Sequence, residues 1–124
     1  MAAPAGPRVV NTQTSALMRS LMRLVVERGT GRFAEVPGYS VGGKTGTAEK
    51  AAGGGYHRKA LLTSFVSIFP SAEPRYLVLA MLDEPKGTTK THGYATAGWN
   101  AAPTAGHIIA RIAPLLGVPP ADKD

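Results

Sequence analysis

The sequence contains no cysteine, which excludes disulfides, thiolate zinc sites and cysteine nucleophiles and is compatible with either an oxidising or a reducing compartment. Aromatic residues make up only 6% of the chain. With so few stacking platforms and no run of four basic residues, a nucleic-acid groove is not expected. No segment approaches the roughly 18 apolar residues that cross a bilayer, and nothing near the N-terminus joins a charged start to an apolar run. Neither a membrane span nor a signal is therefore expected in this chain. His57, His92 and His107 are too dispersed in sequence to suggest a triad or a metal site, and no cofactor is expected. No repeat appears at any period of about 20 to 50 residues.

What is present bounds the fold. At 124 residues and 44% hydrophobic, the chain supports one domain with one core. Fourteen Lys and Arg against eight Asp and Glu give a formal charge of +6, which favours anionic partners in general: carboxylates, phosphates, nucleic acid or head groups. The first ten residues, rich in Ala, Pro and Gly, read as a flexible leader, residues 11–118 as the folded portion and 119–124 as a frayed tail.

Five elements follow from hydrophobic periodicity. Leu17, Leu21, Leu24 and Val25, widened by Met18, Met22 and Val26, mark a helix from about Thr14 to Arg28 with a buried face, capped by Asn11, Thr12 or Thr14 and stopped at Gly29-Thr30-Gly31. Arg32 to Tyr39 reads as a connection. Val41 to about Lys50 is a weak, glycine-interrupted strand of the kind found at edges, followed by an Ala51–Gly55 loop. Leu61–Phe69 and Tyr76–Leu82 are apolar on both alternating faces and read as central strands covered on two sides. Their short connection, Pro70 to Pro74, requires an antiparallel hairpin, because a parallel pair needs a long crossover. After a polar loop from Asp83 to Gly98, Pro103 opens a helix carrying Ile108, Ile109, Ile112, Leu115 and Leu116, closed near Gly117. The expected class is α+β: an antiparallel sheet of about three strands with helices packed on it.

The chemistry concentrates in Gly42-Gly43-Lys44-Thr45-Gly46-Thr47. Lys44 supplies a fixed positive charge, Thr45 and Thr47 supply hydroxyls, and Gly46 leaves a backbone position that a ligand or another chain approaches closely. This is an anion-binding ledge. The segment Gly38 to Thr45 also satisfies the phosphate-loop pattern Gly-x4-Gly-Lys-[Ser/Thr], and the apolar run ending at Asp83-Glu84 resembles a magnesium-positioning strand. A phosphate loop needs a helix beginning at its lysine, so that N-terminal amides and dipole face the phosphates. Here Gly46 follows at once and three glycines close the stretch after Ala52, so the nucleotide reading lacks its helix.

In order and spacing, a larger set of residues resembles the C-terminal part of the transpeptidase domain of class B penicillin-binding proteins, particularly the division-specific type. The carriers are Gly29-Thr30-Gly31, Pro37-Gly38-Tyr39, Gly42 to Glu49, Ser64-Phe65-Val66, Phe69-Pro70, Pro74-Arg75-Tyr76, Asp83-Glu84-Pro85-Lys86 and Ala101-Ala102-Pro103, spanning roughly residues 9 to 119. The resemblance implies a partial serine β-lactamase/D,D-peptidase-like fold and a parent reaction of peptidoglycan cross-linking from D-Ala-D-Ala stem peptides. It implies that Lys44 organises the proton-transfer network of the cleft, that Thr45 and Thr47 hold the carboxylate of a stem peptide or a β-lactam, and that Gly46 lets the ligand backbone lie along the strand. It implies further that the Thr47 amide N–H is one of two oxyanion donors.

The family's Lys-Thr-Gly signature is one of three elements, beside a Ser-x-x-Lys nucleophile and a Ser-x-Asn motif. Neither of the other two occurs here: Ser15, Ser20, Ser40, Ser64, Ser67 and Ser71 are followed three positions later by Met18, Arg23, Gly43, Ser67, Pro70 and Pro74. Thr47-Ala48-Glu49-Lys50 spells Thr-x-x-Lys, but inside and just after the strand signature. The expectation is a separate or truncated piece of a transpeptidase domain that lacks its nucleophile and does not acylate alone. Its implied partners are a stem peptide or β-lactam and the rest of a penicillin-binding protein, and its implied location is the periplasmic face of the inner membrane. The alternatives are a phosphate-loop nucleotide-binding protein using Gly38 to Thr45 and Asp83, and a noncatalytic interaction module exposing an unpaired sheet edge.

Overall fold

The computed structural model describes residues 5–121, so the outermost parts of the expected leader and tail lie outside the described residues. Helix α1, Thr12–Arg28, is capped by Asn11, whose side-chain oxygen accepts from the Thr14 N–H at 2.7 Å. It ends at Gly29, and a short 3₁₀ turn, Arg32–Ala34, leads into strand β1, Gly42–Ala52. Strand β2 is Gly55–Phe69 and β3 is Tyr76–Asp83; a second 3₁₀ turn, Ala97–Trp99, precedes helix α2, Ala101–Leu115. The three strands form one antiparallel sheet in the order β1-β2-β3.

The β1–β2 hairpin is tighter than a loop over Ala51–Gly55. Gly53 and Gly54 both sit at positive φ, +55° and +89°, the combination a two-residue turn needs to match the twist of its strands. Both strands therefore extend to the turn, with a register shift between Glu49 and Lys50. Helix α2 starts before Pro103: Asn100 caps it by accepting from the Ala101 N–H at 2.7 Å, and Pro103 falls inside the first turn, where its missing N–H costs nothing.

The core lies between α2, the first 3₁₀ turn and the inward residues of β2 and β3. Phe65, Phe69 and Ile109 are fully buried, together with Ala97, Ala101, Ala102, Ala105 and Ala113. Small residues let the backbones approach: a Cβ on Gly106 would lie 3.1 Å from the Ala34 Cα. The buried hydroxyls are paired, Ser67 donating to the Val78 carbonyl at 2.9 Å and Thr63 to the Asn100 side-chain oxygen at 2.8 Å. Residues 119 to 121 run back beside this core, and the Ala121 N–H donates to the Gly38 carbonyl at 2.6 Å.

Two expected buried surfaces are open among the described residues. On α1, Leu17, Leu21 and Leu24 are 60%, 54% and 47% exposed, whereas Val26 is buried. The helix meets the sheet on a different face, with the Gly42 backbone set against Met22 and Arg23. On β3, which is an edge and not a central strand, Leu77, Leu79 and Met81 are more than half exposed. Tyr76, Val78 and Ala80 turn towards α2, and the opposite side of β3 is exposed among the described residues.

Candidate functional site: one wall of a cleft along strand β1

The Gly42–Thr47 segment forms the first half of β1, and its glycines are there for packing. A Cβ on Gly43 would lie 2.5 Å from the Phe65 ring and from the Val66 carbonyl oxygen, and one on Gly31 would lie 2.9 Å from the same ring. Phe65 thus holds the first 3₁₀ turn and β1 together. At Gly46 a Cβ would meet only the Ser64 hydroxyl, at 2.7 Å.

Strand alternation sorts the functional side chains onto two faces. Lys44 stands in register with Val66 and, through it, with Leu79, so it belongs to the sheet face opposite Phe65, which α1 meets at Gly42 and which is exposed at Lys44 and Leu79. Its ammonium donates to the Thr45 carbonyl at 2.9 Å and lies 3.4 Å from the Thr45 hydroxyl. Thr45 and Thr47, opposite Phe65 and Thr63, belong to the other face. Both line a cleft of about 230 Å³ at the outer edge of β1. Its second side is Thr30, Arg32 and Phe33, and its third is Thr96, Ala97, Gly98 and Trp99. The Thr30 and Thr45 hydroxyls are 2.9 Å apart, and the Thr47 hydroxyl accepts from the Ala97 N–H at 3.0 Å while keeping its own proton to donate.

Asn100 sets the third side in place. Its side-chain oxygen accepts from Thr63 and from the Ala101 N–H, and its amide nitrogen donates to the Ala95 carbonyl at 2.8 Å. One residue thereby ties β2, the 95–99 segment and the start of α2. Sequence reasoning missed this, although an asparagine before Ala-Ala-Pro is itself a capping signal. It also missed Thr30 and Trp99 as neighbours of β1. Trp99 anchors an aromatic group: Tyr94 stacks on it with centroids 5.2 Å apart, Phe33 lies at 5.3 Å and His92 meets it edge-on at 5.9 Å.

The phosphate-loop alternative is overturned. Lys44 and Thr45 lie inside a strand that runs to Ala52, so they do not open the helix that a phosphate loop requires. Asp83 is four residues from Leu79, the β3 residue in line with Lys44, which places it about 13 Å further along the sheet. The Lys50 ammonium instead engages it at 2.5 Å, with Glu84 at 3.4 Å. The Asp83 hydrogen bond, opposed by some desolvation, holds the Lys50 pKa above its ordinary value. Among the described residues, no group of three His, Asp or Glu side chains is placed to hold a metal ion, and no helix is long and apolar enough to cross a membrane.

Comparison with known proteins accounts for this arrangement. Residues 2–110 match the penicillin binding protein transpeptidase domain family. Over 93% of its length the chain is 50% identical to the probable peptidoglycan D,D-transpeptidase FtsI of Caulobacter vibrioides, covering 21% of that protein. It is 41% identical over 91% of its length to the stage V sporulation protein D of Bacillus subtilis, covering 17%. The chain thus spans about a fifth of the length of these relatives. The transpeptidase domain of Burkholderia pseudomallei penicillin-binding protein 3 superposes with a TM-score of 0.83 at 38% identity, over 98% of this chain and 36% of that one. Penicillin-binding protein 3 of Mycobacterium tuberculosis in complex with ampicillin gives 0.81 at 31% identity, over 99% of this chain and 29% of that one. Matched in sequence over most of its length and in fold throughout, the chain belongs to the penicillin-binding protein transpeptidase domain family, of which it is the part carrying the Lys-Thr-Gly strand.

Proposed function

We propose that this chain supplies the strand wall of a peptidoglycan D,D-transpeptidase site, with the nucleophile contributed from outside these 124 residues. The observation that carries this reading is the division of labour along β1: Lys44 exposed on one face, Thr45 and Thr47 on the cleft, with the Lys44 ammonium 3.4 Å from the Thr45 hydroxyl. The remainder of the domain would cover the Lys44 face together with Leu77, Leu79 and Met81, and bring the serine to the strand. The Thr45 and Thr47 hydroxyls would donate to the terminal carboxylate of a D-Ala-D-Ala stem peptide or to that of a β-lactam. As an edge strand, β1 leaves alternate backbone groups free to pair with an extended ligand.

In the reaction, the serine oxygen would attack the penultimate D-Ala carbonyl. Its proton would pass through the network organised by Lys44 to the leaving terminal D-Ala, and the acyl group would move to an acceptor amine of a second stem. The Thr47 N–H and the serine's own N–H would stabilise the oxyanion. The site would work at the periplasmic face of the inner membrane, where cross-linking takes place. The test is labelling with a fluorescent penicillin: the 124-residue chain forms no stable adduct, whereas a chain extended upstream to include the nucleophile helix does. Strong labelling of the short chain overturns the reading.

A second reading, a noncatalytic interaction module, draws on the exposed Leu77, Leu79 and Met81 and the unpaired edge of β3. Concentration-dependent association of the short chain without ligand binding supports it.

A further inference from the structure

The cleft on β1 contains a cation that the Lys-Thr-Gly signature does not predict. Arg32 lines it together with Thr45 and Thr47. Its guanidinium carbon lies 4.7 Å from the Phe33 ring centroid and 5.8 Å from that of Trp99. Cation–π attraction to two rings fixes the position of a side chain that would otherwise sample many rotamers. The rings themselves are fixed, Phe33 and Tyr94 both packing on Trp99. Among the described residues Arg32 makes no salt bridge, in contrast to Arg23, which spends its guanidinium on Glu27 and Glu35. A guanidinium held by aromatic faces keeps its in-plane N–H donors free, and here they border a cleft already lined by threonine hydroxyls.

We propose that Arg32, set against the packed Phe33 and Trp99 rings, is an anion-recognition residue of this cleft, pairing with the ligand carboxylate that Thr45 and Thr47 also bind. The proposal rests on the carboxylate-wall reading above and deepens it. The hydroxyls alone offer neutral hydrogen bonds; a guanidinium adds charge-assisted ones, and its fork matches the two oxygens of a carboxylate. The chemical class selected is therefore a free C-terminal carboxylate over its amide. The Phe33 and Trp99 rings beside it form an apolar wall for a small side chain such as a methyl group.

The test is a titration of the chain with N-acetyl-D-Ala-D-Ala and with its C-terminal amide, followed by ¹H–¹⁵N NMR, with the Arg32 Nε–H peak assigned by its loss in Arg32→Gln. The wild-type chain is expected to prefer the acid, with the Arg32 peak shifting on titration. Arg32→Gln is expected to bind the acid about 10- to 100-fold more weakly, from the typical worth of a hydrogen bond to a charged group, and to lose discrimination against the amide. Arg32→Lys should recover part of the loss, because it restores the charge without the fork. Unchanged backbone peaks for the buried Phe69 and Ile109 verify that each variant is folded. Equal acid binding by wild type and Arg32→Gln overturns the role of Arg32 and leaves the carboxylate wall standing if Thr45→Val and Thr47→Val do weaken it. Failure of the wild-type chain to bind either peptide overturns the carboxylate-wall reading, and the proposal with it.

Discussion

The Thr47 hydroxyl accepts a hydrogen bond from the backbone N–H of Ala97, fifty residues further along the chain. Ala97 is fully buried, so its N–H has no water to turn to. The hydroxyl that the family motif assigns to ligand therefore also holds the far side of the cleft, and recognition and local stability share one side chain.

Thr47→Val is expected to destabilise the chain by about 1–3 kcal/mol, because it strands a buried donor. Thr47→Ser keeps the acceptor and should cost less. Urea unfolding of both variants checks this; equal stability for Val and wild type would show that the Ala97 N–H finds another partner.

The two central glycines of the strand predict opposite behaviour. Gly43→Ala drives a methyl group into the Phe65 ring and the Val66 carbonyl, an overpacking cost of about 1–3 kcal/mol. Gly46→Ala meets only the end of the Ser64 side chain, which rotates away. The first variant should therefore unfold earlier with urea. The second should stay close to wild type in stability and, in a chain extended to contain the nucleophile, lose penicillin labelling.

Asn100→Ala removes a helix cap, leaves the buried Thr63 hydroxyl without its acceptor and frees the Ala95 carbonyl. A loss of about 2 kcal/mol is expected from the cap and the orphaned hydroxyl. Hydrogen exchange should accelerate first in residues 95–104, and uniform acceleration across the sheet would refute the local role.

Leu79 lies in line with Lys44, and both are exposed. Leu79→Lys should lower self-association of the 124-residue chain in sedimentation at high concentration. In an extended chain, where the remainder of the domain would cover this face, the same change should destabilise by about 2 kcal/mol or more, because it buries an unpaired charge. Equal tolerance in both settings would mean that the face stays open.

Much of the architecture was readable residue by residue. The Leu61–Phe69 and Tyr76–Leu82 runs and their short connection dictated the antiparallel pair, and β1 took its place at the edge. The covering of those strands was not readable. Leu77 and Leu79 alternate with Val78 and Ala80 as apolar residues on both faces, which is the pattern of a doubly covered strand, yet one face is open here. The same holds for Leu17, Leu21 and Leu24 on α1. Hydrophobicity records that a surface is meant to be buried, and says nothing of whether its cover belongs to the same 124 residues. The phosphate-loop pattern failed for a related reason: its letters carry no backbone geometry, and Lys44 lies in a strand.

By itself, the sequence determined the order of elements, the edge position of the Lys-Thr-Gly-Thr strand and the absence of a Ser-x-x-Lys nucleophile, because periodicity, glycine punctuation and motif spacing are local properties. Only the tertiary structure decided which residues meet across the cleft: Thr30 with Thr45, Ala97 with Thr47, and Arg32 with Phe33 and Trp99. Those contacts join distant segments, and they exist because Phe65 packs against Gly31 and Gly43 while Asn100 ties the 95–99 segment to β2. Such close packing depends on the whole core at once, which no local pattern encodes.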